Sequence, residues 1–165
     1  MIKHKLEEDK VYKHFIERTR LGEFHKLSLY GSTAILWLSG LVWILFHFFG
    51  VHPGGFGEVR SPVEPISLKI HGAAAIIFIS VLGSLISTHI RRGWALKRNR
   101  PSGVLITTIC GFLVGSGWAL YYLGSERARN AASLAHWILG LTLPVIIYLH
   151  ILAWKWEQNR EEIDS

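Results

Sequence analysis

The chain has 165 residues, half of them hydrophobic and 18% charged, with a formal net charge of +6. Four apolar runs of roughly the 20 residues needed to cross a bilayer take up most of that length and exclude a separate soluble domain. The positive charge lies in the short segments between the runs, so it speaks to membrane topology and not to nucleic-acid binding.

In chain order, residues 1–26 alternate charges in a helical manner, with Leu6, Val11, Phe15 and Ile16 interleaved. They read as a cytoplasmic amphipathic segment lying on the membrane surface or against a partner. The first span runs over Leu27–Phe49. Gly50–Pro65 follows, with four glycines and three of the five prolines, and is expected to be an irregular outer loop of several turns. The second span covers Ile66–Ile90, and a short basic inner loop leads to the third, Val104–Leu123. The outer link Gly124–Asn130 is short enough to make the third span an antiparallel neighbour of the fourth, Ala131–Trp154. Residues 155–165 form a cytoplasmic tail.

These runs are apolar around most of their circumference, which argues against a soluble bundle with a single apolar stripe. The expected fold is all-α, an integral membrane four-helix bundle over residues 27–154. Fourteen Lys and Arg residues fall before span one, between spans two and three, or after span four. Only Arg60, Lys69, Arg127 and Arg129 fall on the other side. The positive-inside rule therefore places both termini in the cytoplasm. The first apolar run is too long for the core of a cleavable signal and reads as an uncleaved anchor. Trp94, Trp154 and Trp156 at one edge, and Trp118, Tyr121, Tyr122 and Trp137 at the other, fall where interfacial aromatic belts belong.

Cys110 is the single cysteine, and no Cys-x-x-Cys-His is present. Covalent c-type haem, iron–sulfur clusters and disulfides are thereby excluded, and a metal would have to be held by histidine. Of nine histidines, His4, His14 and His52 lie outside the spans and read as surface residues. The other six sort by depth. His25, His89 and His150 belong to the inner level, and His47, His71 and His136 to the outer level.

His136 and His150 are fourteen residues apart in one apolar run. That is close to four helical turns, so both rings project from one face, ~21 Å apart along the axis. Intramembrane imidazoles need partners. A structural hydrogen bond between helices explains one such ring more readily than two at matched depths. Haem iron with two axial imidazoles needs one ring from each of two facing helices, with the second ring nitrogen of each hydrogen-bonded. Small residues are available where a porphyrin would press on backbone: Gly72 and the alanines after His71, Gly140 after His136, Gly111 and Gly115 on span three, and Ser39–Gly40 on span one. Helix–helix packing accounts for such glycines equally well. Zinc would want carboxylate or cysteine ligands, and no span contains an acidic residue.

A basic residue and histidine opening span one, a small–Gly pair in mid-helix, one histidine near the outer end of span two and the fourteen-residue interval on span four together resemble dihaem b-type membrane cytochromes. These include the cytochrome b subunits of membrane-bound hydrogenases and formate dehydrogenases, and small bacterial four-helix cytochromes that oxidise superoxide or pass electrons to quinone. The resemblance runs from about Arg20 to Trp154. It implies two haem b groups in a bacterial cytoplasmic membrane, one held by His25 and His150 and the other by His71 and His136. His89, eighteen residues after His71 and so five turns on, could replace His25, and His47 could replace His71.

The function implied is transmembrane electron transfer between an outer redox partner and the quinone pool. If His89 is not a ligand, it stands beside Arg91 and Arg92 as a group able to hydrogen-bond and protonate a quinone. Two alternatives follow from the same residues. One is direct oxidation of a small outer substrate such as superoxide, near Arg60, Arg127 and Arg129. The other is a haem-free anchor or proton-relay subunit.

Overall fold

The computed structural model describes residues 22–55, 57–95 and 99–163. Apart from residues 22–26, the expected amphipathic segment lies outside the described residues. Helix α1 spans Glu23–Phe49 and ends at Gly50. It starts four residues before the expected span, with Lys26 Nζ 2.8 Å from Glu23 Oε1 across its first turn.

The connection that follows α1 differs from the irregular outer loop expected. Strands β1 (Val51–Gly54) and β2 (Gly57–Arg60) form an antiparallel hairpin, in which Val51 pairs with Arg60 and His52 with Val59. Gly57 turns the chain at a φ of 123°, a backbone region open mainly to glycine. Composition marks such a stretch as turn-rich, but hairpin pairing depends on register, which composition does not carry.

Helix α2 spans Val63–Leu85. Pro65 sits in its first turn, where the missing N–H would have no helical partner. The helix then widens into a π turn, Ile86–Ile90, and continues as the short α3, Arg91–Ala95. Each residue added by a wide turn rotates everything beyond it by about 100°. A count of five α-turns from His71 therefore does not fix the face on which His89 stands. Helix α4 spans Arg100–Tyr122, with Pro101 in its first turn. Helix α5 spans Glu126–Ile163, so the expected tail continues the helix as far as Ile163. Pro144 lies inside α5 and leaves the Gly140 carbonyl without its helical donor.

Helix α1 packs along α2, α4 along α5, and α1 touches α5. The α4–α5 pairing is the one implied by their short link. Trp37 Nε1 donates to the Leu141 carbonyl at 3.2 Å and bridges α1 to α5. Phe78, Ile109, Cys110 and Leu143 form a central cluster from α2, α4 and α5, with Leu36 of α1, Leu82 and Leu113 packed around it. Ser32, Ser39, Ser67 and Ser116 are also buried, each bonding a carbonyl three or four residues back.

Large apolar side chains face outward in number, among them Ile76, Phe49 and Tyr121. Exposed apolar surface on this scale is a mark of contact with a membrane or a protein partner. All four helical stretches, with α2, the π turn and α3 counted as one, are long and apolar enough to cross a membrane.

Candidate functional site

His71 on α2 and His136 on α5 stand at one level, with ring centres 6.2 Å apart and ring planes inclined at 66°. Each ring is backed by a different helix. Ser39 Oγ of α1 lies 3.1 Å from His71 Nδ1, and Ser116 Oγ of α4 lies 2.8 Å from His136 Nδ1. The rings also hydrogen-bond the backbones of Leu36 and Leu113 respectively. All four long helices therefore contribute to this level.

The two backing surfaces share one pattern. On α1 it is Leu36-Trp37-Leu38-Ser39-Gly40, and on α4 it is Leu113-Val114-Gly115-Ser116-Gly117. Serine and the carbonyl three residues earlier meet the imidazole, and the following glycine makes room for it. A Cβ on Gly40 would stand 3.4 Å from His71 Cε1, and one on Gly117 would stand 3.3 Å from His136 Cε1. Either is tight enough to press on the ring.

Part of the pattern is repeated at the level of His150, where a serine meets the ring but a Cβ on the following glycine would touch nothing within 4 Å. Ser102 Oγ lies 2.7 Å from His150 Nδ1, and Gly103 follows Ser102. Asn99 Nδ2 donates to the His150 carbonyl at 3.2 Å. Asn99 immediately precedes α4 in the left-handed conformation, φ 45°, which asparagine tolerates better than most residues. Ser102 and Ser116 are fourteen residues apart, as are His136 and His150. Antiparallel packing of α4 on α5 meets both histidines in a single register.

His25 lies in the first turn of α1, half-buried and edge-on to Phe24 at 6.1 Å between ring centres. His89 lies in the π turn, its Nδ1 buried and without a hydrogen-bond partner among the described residues. Arg91 and Arg92 open α3, and Arg91 is exposed. At the C-terminal end of α1, His47 Nδ1 is 2.7 Å from Glu64 Oε1, and Arg60 Nη1 reaches the same carboxylate at 3.2 Å. The Trp43 ring stacks on His47 at 4.6 Å. This cluster ties β2 and the start of α2 to the end of α1.

The glycines expected to face a porphyrin or a neighbouring helix divide. Gly40 abuts a histidine ring, and a Cβ on Gly140 would only touch Leu113 Cδ2 at 3.9 Å. Gly72, Gly111 and Gly115 would meet nothing within 4 Å, so helix packing within this chain does not explain them. Ser116, Gly117, Ser102 and Asn99 were not foreseen as site residues. Their signal was the Ser–Gly step repeated at the histidine interval.

Two imidazoles trans to one metal, with bonds of about 2 Å and about 1 Å more from nitrogen to ring centre, have centres roughly 6 Å apart. The His71–His136 separation fits that arrangement. Among the described residues, no three His, Cys, Asp or Glu side chains gather as a metal cage, so the geometry is that of a pair. No protein-family model, curated protein or solved structure matches this chain.

Proposed function

We propose that the chain is a membrane-inserted b-type cytochrome with both termini cytoplasmic, carrying electrons between an outer redox partner and the quinone pool through two bis-histidine haems. The observation that carries this reading is the pair of imidazoles, from α2 and α5, 6.2 Å apart with Nδ1 of each hydrogen-bonded. His71 and His136 would hold the outer haem, and His150 with His25 the inner one. Bound haem supplies one-electron chemistry at potentials tuned by its axial ligands, their hydrogen bonds and burial.

The chain's residues would then divide the remaining work. Ser39, Ser102 and Ser116 hold the far side of the ligating rings, while the outward apolar surface of the helices meets lipid. Trp43, one turn beyond Gly40 on α1, has a buried Nε1 with no partner among the described residues. It is a donor suited to a haem carboxylate.

His89 supports a second role. Ligating histidines ordinarily hydrogen-bond their other ring nitrogen, as the rings of His71, His136 and His150 do and that of His89 does not. The ring of His25 has no such bond among the described residues either, so the pairing of His25 with His150 rests on the resemblance alone. With His25 in that place, His89, beside Arg91 and Arg92, is left to hydrogen-bond quinone. Of the three arginines that would favour direct reaction with superoxide, Arg60 is engaged by Glu64 and Arg129 donates to the Leu123 carbonyl, while Arg127 is exposed.

The test is a reduced-minus-oxidised absorption spectrum of the purified chain with haem quantitation. Two b haems per chain are expected. None would overturn the reading in favour of a haem-free relay or anchor.

A further inference from the structure

We propose that Ser39, Ser116 and Ser102 are positioning residues that hold His71, His136 and His150 as Nδ1–H tautomers, leaving each Nε2 as the bare nitrogen available to a metal. The argument follows the hydroxyl protons. Ser39 Oγ is 2.6 Å from the Ile35 carbonyl and 3.1 Å from that of Leu36, and a carbonyl can only accept. The single Ser39 proton is thus committed within α1. Toward His71 Nδ1, at 3.1 Å, the oxygen accepts, so Nδ1 carries the proton. Ser116 has the same two kinds of neighbour, the Leu113 carbonyl to which it donates at 3.2 Å and His136 Nδ1 at 2.8 Å, although here the ring is the nearer of the two. The hydrogen bonds of the two rings to the Leu36 and Leu113 backbones point the same way, because a carbonyl is the backbone acceptor a helix interior can share.

At His150 an amide takes the place of the helix carbonyl. Ser102 Oγ donates to Asn99 Oδ1. Asn99 Nδ2 donates to the His150 carbonyl at 3.2 Å, which orients that amide with its oxygen toward Ser102. Asn99 Nδ2 also lies 3.3 Å from His150 Nδ1, a contact that alone would favour a bare Nδ1. The shorter 2.7 Å contact to Ser102 Oγ, whose proton goes to Asn99 Oδ1, makes His150 Nδ1–H the donor that closes the loop. Three histidines thus receive the same proton assignment from three serines whose own protons are committed elsewhere. A coincidence would have to repeat on two helices and at two depths.

The consequence for haem rests on the proposed function, whereas the tautomers do not. A hydrogen bond from the non-ligating nitrogen fixes the ring and raises the basicity of the ligating one. Removing such a partner typically weakens metal binding ~10–100-fold. Ser39→Ala and Ser116→Ala should fall at the low end of that range, since Leu36 and Leu113 remain. Ser102→Ala should fall within the same range, since the Asn99 amide remains 3.3 Å from His150 Nδ1. In each case a less basic imidazole should move the midpoint potential of its own haem upward, and Ser→Thr should restore both.

The experiment uses the full chain, labelled with 15N at histidine, in detergent or nanodiscs, without haem and after haem addition. Imidazole 15N shifts of the haem-free protein should report Nδ1–H at His71, His136 and His150. Ser102→Ala should abolish that preference at His150 alone, and Ser102→Thr should keep it. Nε2–H at these histidines in the unsubstituted protein would overturn the proposal, as would alanine variants with unchanged shifts and potentials. A chain that shows the Nδ1–H signature yet binds no haem would overturn the cytochrome reading and leave the serine assignment standing. If an alanine variant does not fold, the unsubstituted and threonine spectra still decide the question.

Discussion

His71 and His136 face each other across the bundle at 6.2 Å between ring centres, though they come from helices separated by 65 positions in sequence. A pair held this way should behave as one unit. His71→Ala and His136→Ala are each expected to lower haem content from about two per chain to about one, and the double variant to lose no more than either single one. Haem quantitation against protein checks this. A double variant that loses both haems would show that the two residues belong to different sites.

The spans and the fourteen-residue histidine interval were legible because both follow from helical period and bilayer thickness. The backing serines were not. A Ser–Gly step in a membrane helix reads as ordinary packing until the helix across from it, and its register, are known. Ser39 acquires its meaning from His71, and Ser102 from His150, through contacts that no local pattern encodes. The hairpin over Val51–Arg60 escaped for a related reason, since its glycines and prolines announce turns and not the pairing between them. The π turn at Ile86–Ile90 changes the phase of α2 without any proline or glycine inside it to mark the place.

Glycines on α4 should divide by function. Gly117→Ala puts a methyl group 3.3 Å from His136 Cε1 and is expected to displace the ring, broadening or shifting the outer haem spectrum. Gly111→Ala and Gly115→Ala meet open space, and should leave the spectra unchanged while raising stability by up to about 1 kcal/mol each through helix propensity. Thermal denaturation alongside the spectra separates the two classes. Spectral change in Gly111→Ala or Gly115→Ala would place a ligand on that face.

His89→Ala is expected to retain both haems and to slow quinone turnover by at least ~100-fold, the lower end of the scale on which a positioned acid–base group acts. Haem content and steady-state reduction of a soluble quinone are measured on the same preparation. Loss of one haem would instead make His89 the partner of His150.

Glu64→Gln should loosen the β1–β2 hairpin and leave haem content unchanged. The carboxylate accepts from Arg60 and meets His47, and it joins β2, α1 and α2 at one point with a side chain only 13% exposed. Replacing it with a neutral amide should cost ~1 kcal/mol, the scale of one partly buried hydrogen bond. Faster amide exchange confined to residues 51–60 would mark the effect. Unchanged exchange there would show that strand pairing alone holds the hairpin in place.

Asn99 combines two properties that substitution can separate. Its backbone is left-handed, which costs an ordinary residue roughly 1–2 kcal/mol. Its amide bridges Ser102 and the His150 carbonyl. Asn99→Gly keeps the backbone and removes the amide, so any shift in the inner haem potential in this variant belongs to the side chain. Asn99→Ala removes the amide and adds the backbone strain. It should be less stable than Asn99→Gly by ~1 kcal/mol, with the same potential. Potentiometric titration and thermal denaturation of both variants make the comparison. Equal stability would mean that the turn before α4 relaxes when the amide is lost, and that the amide itself holds Asn99 in its left-handed conformation.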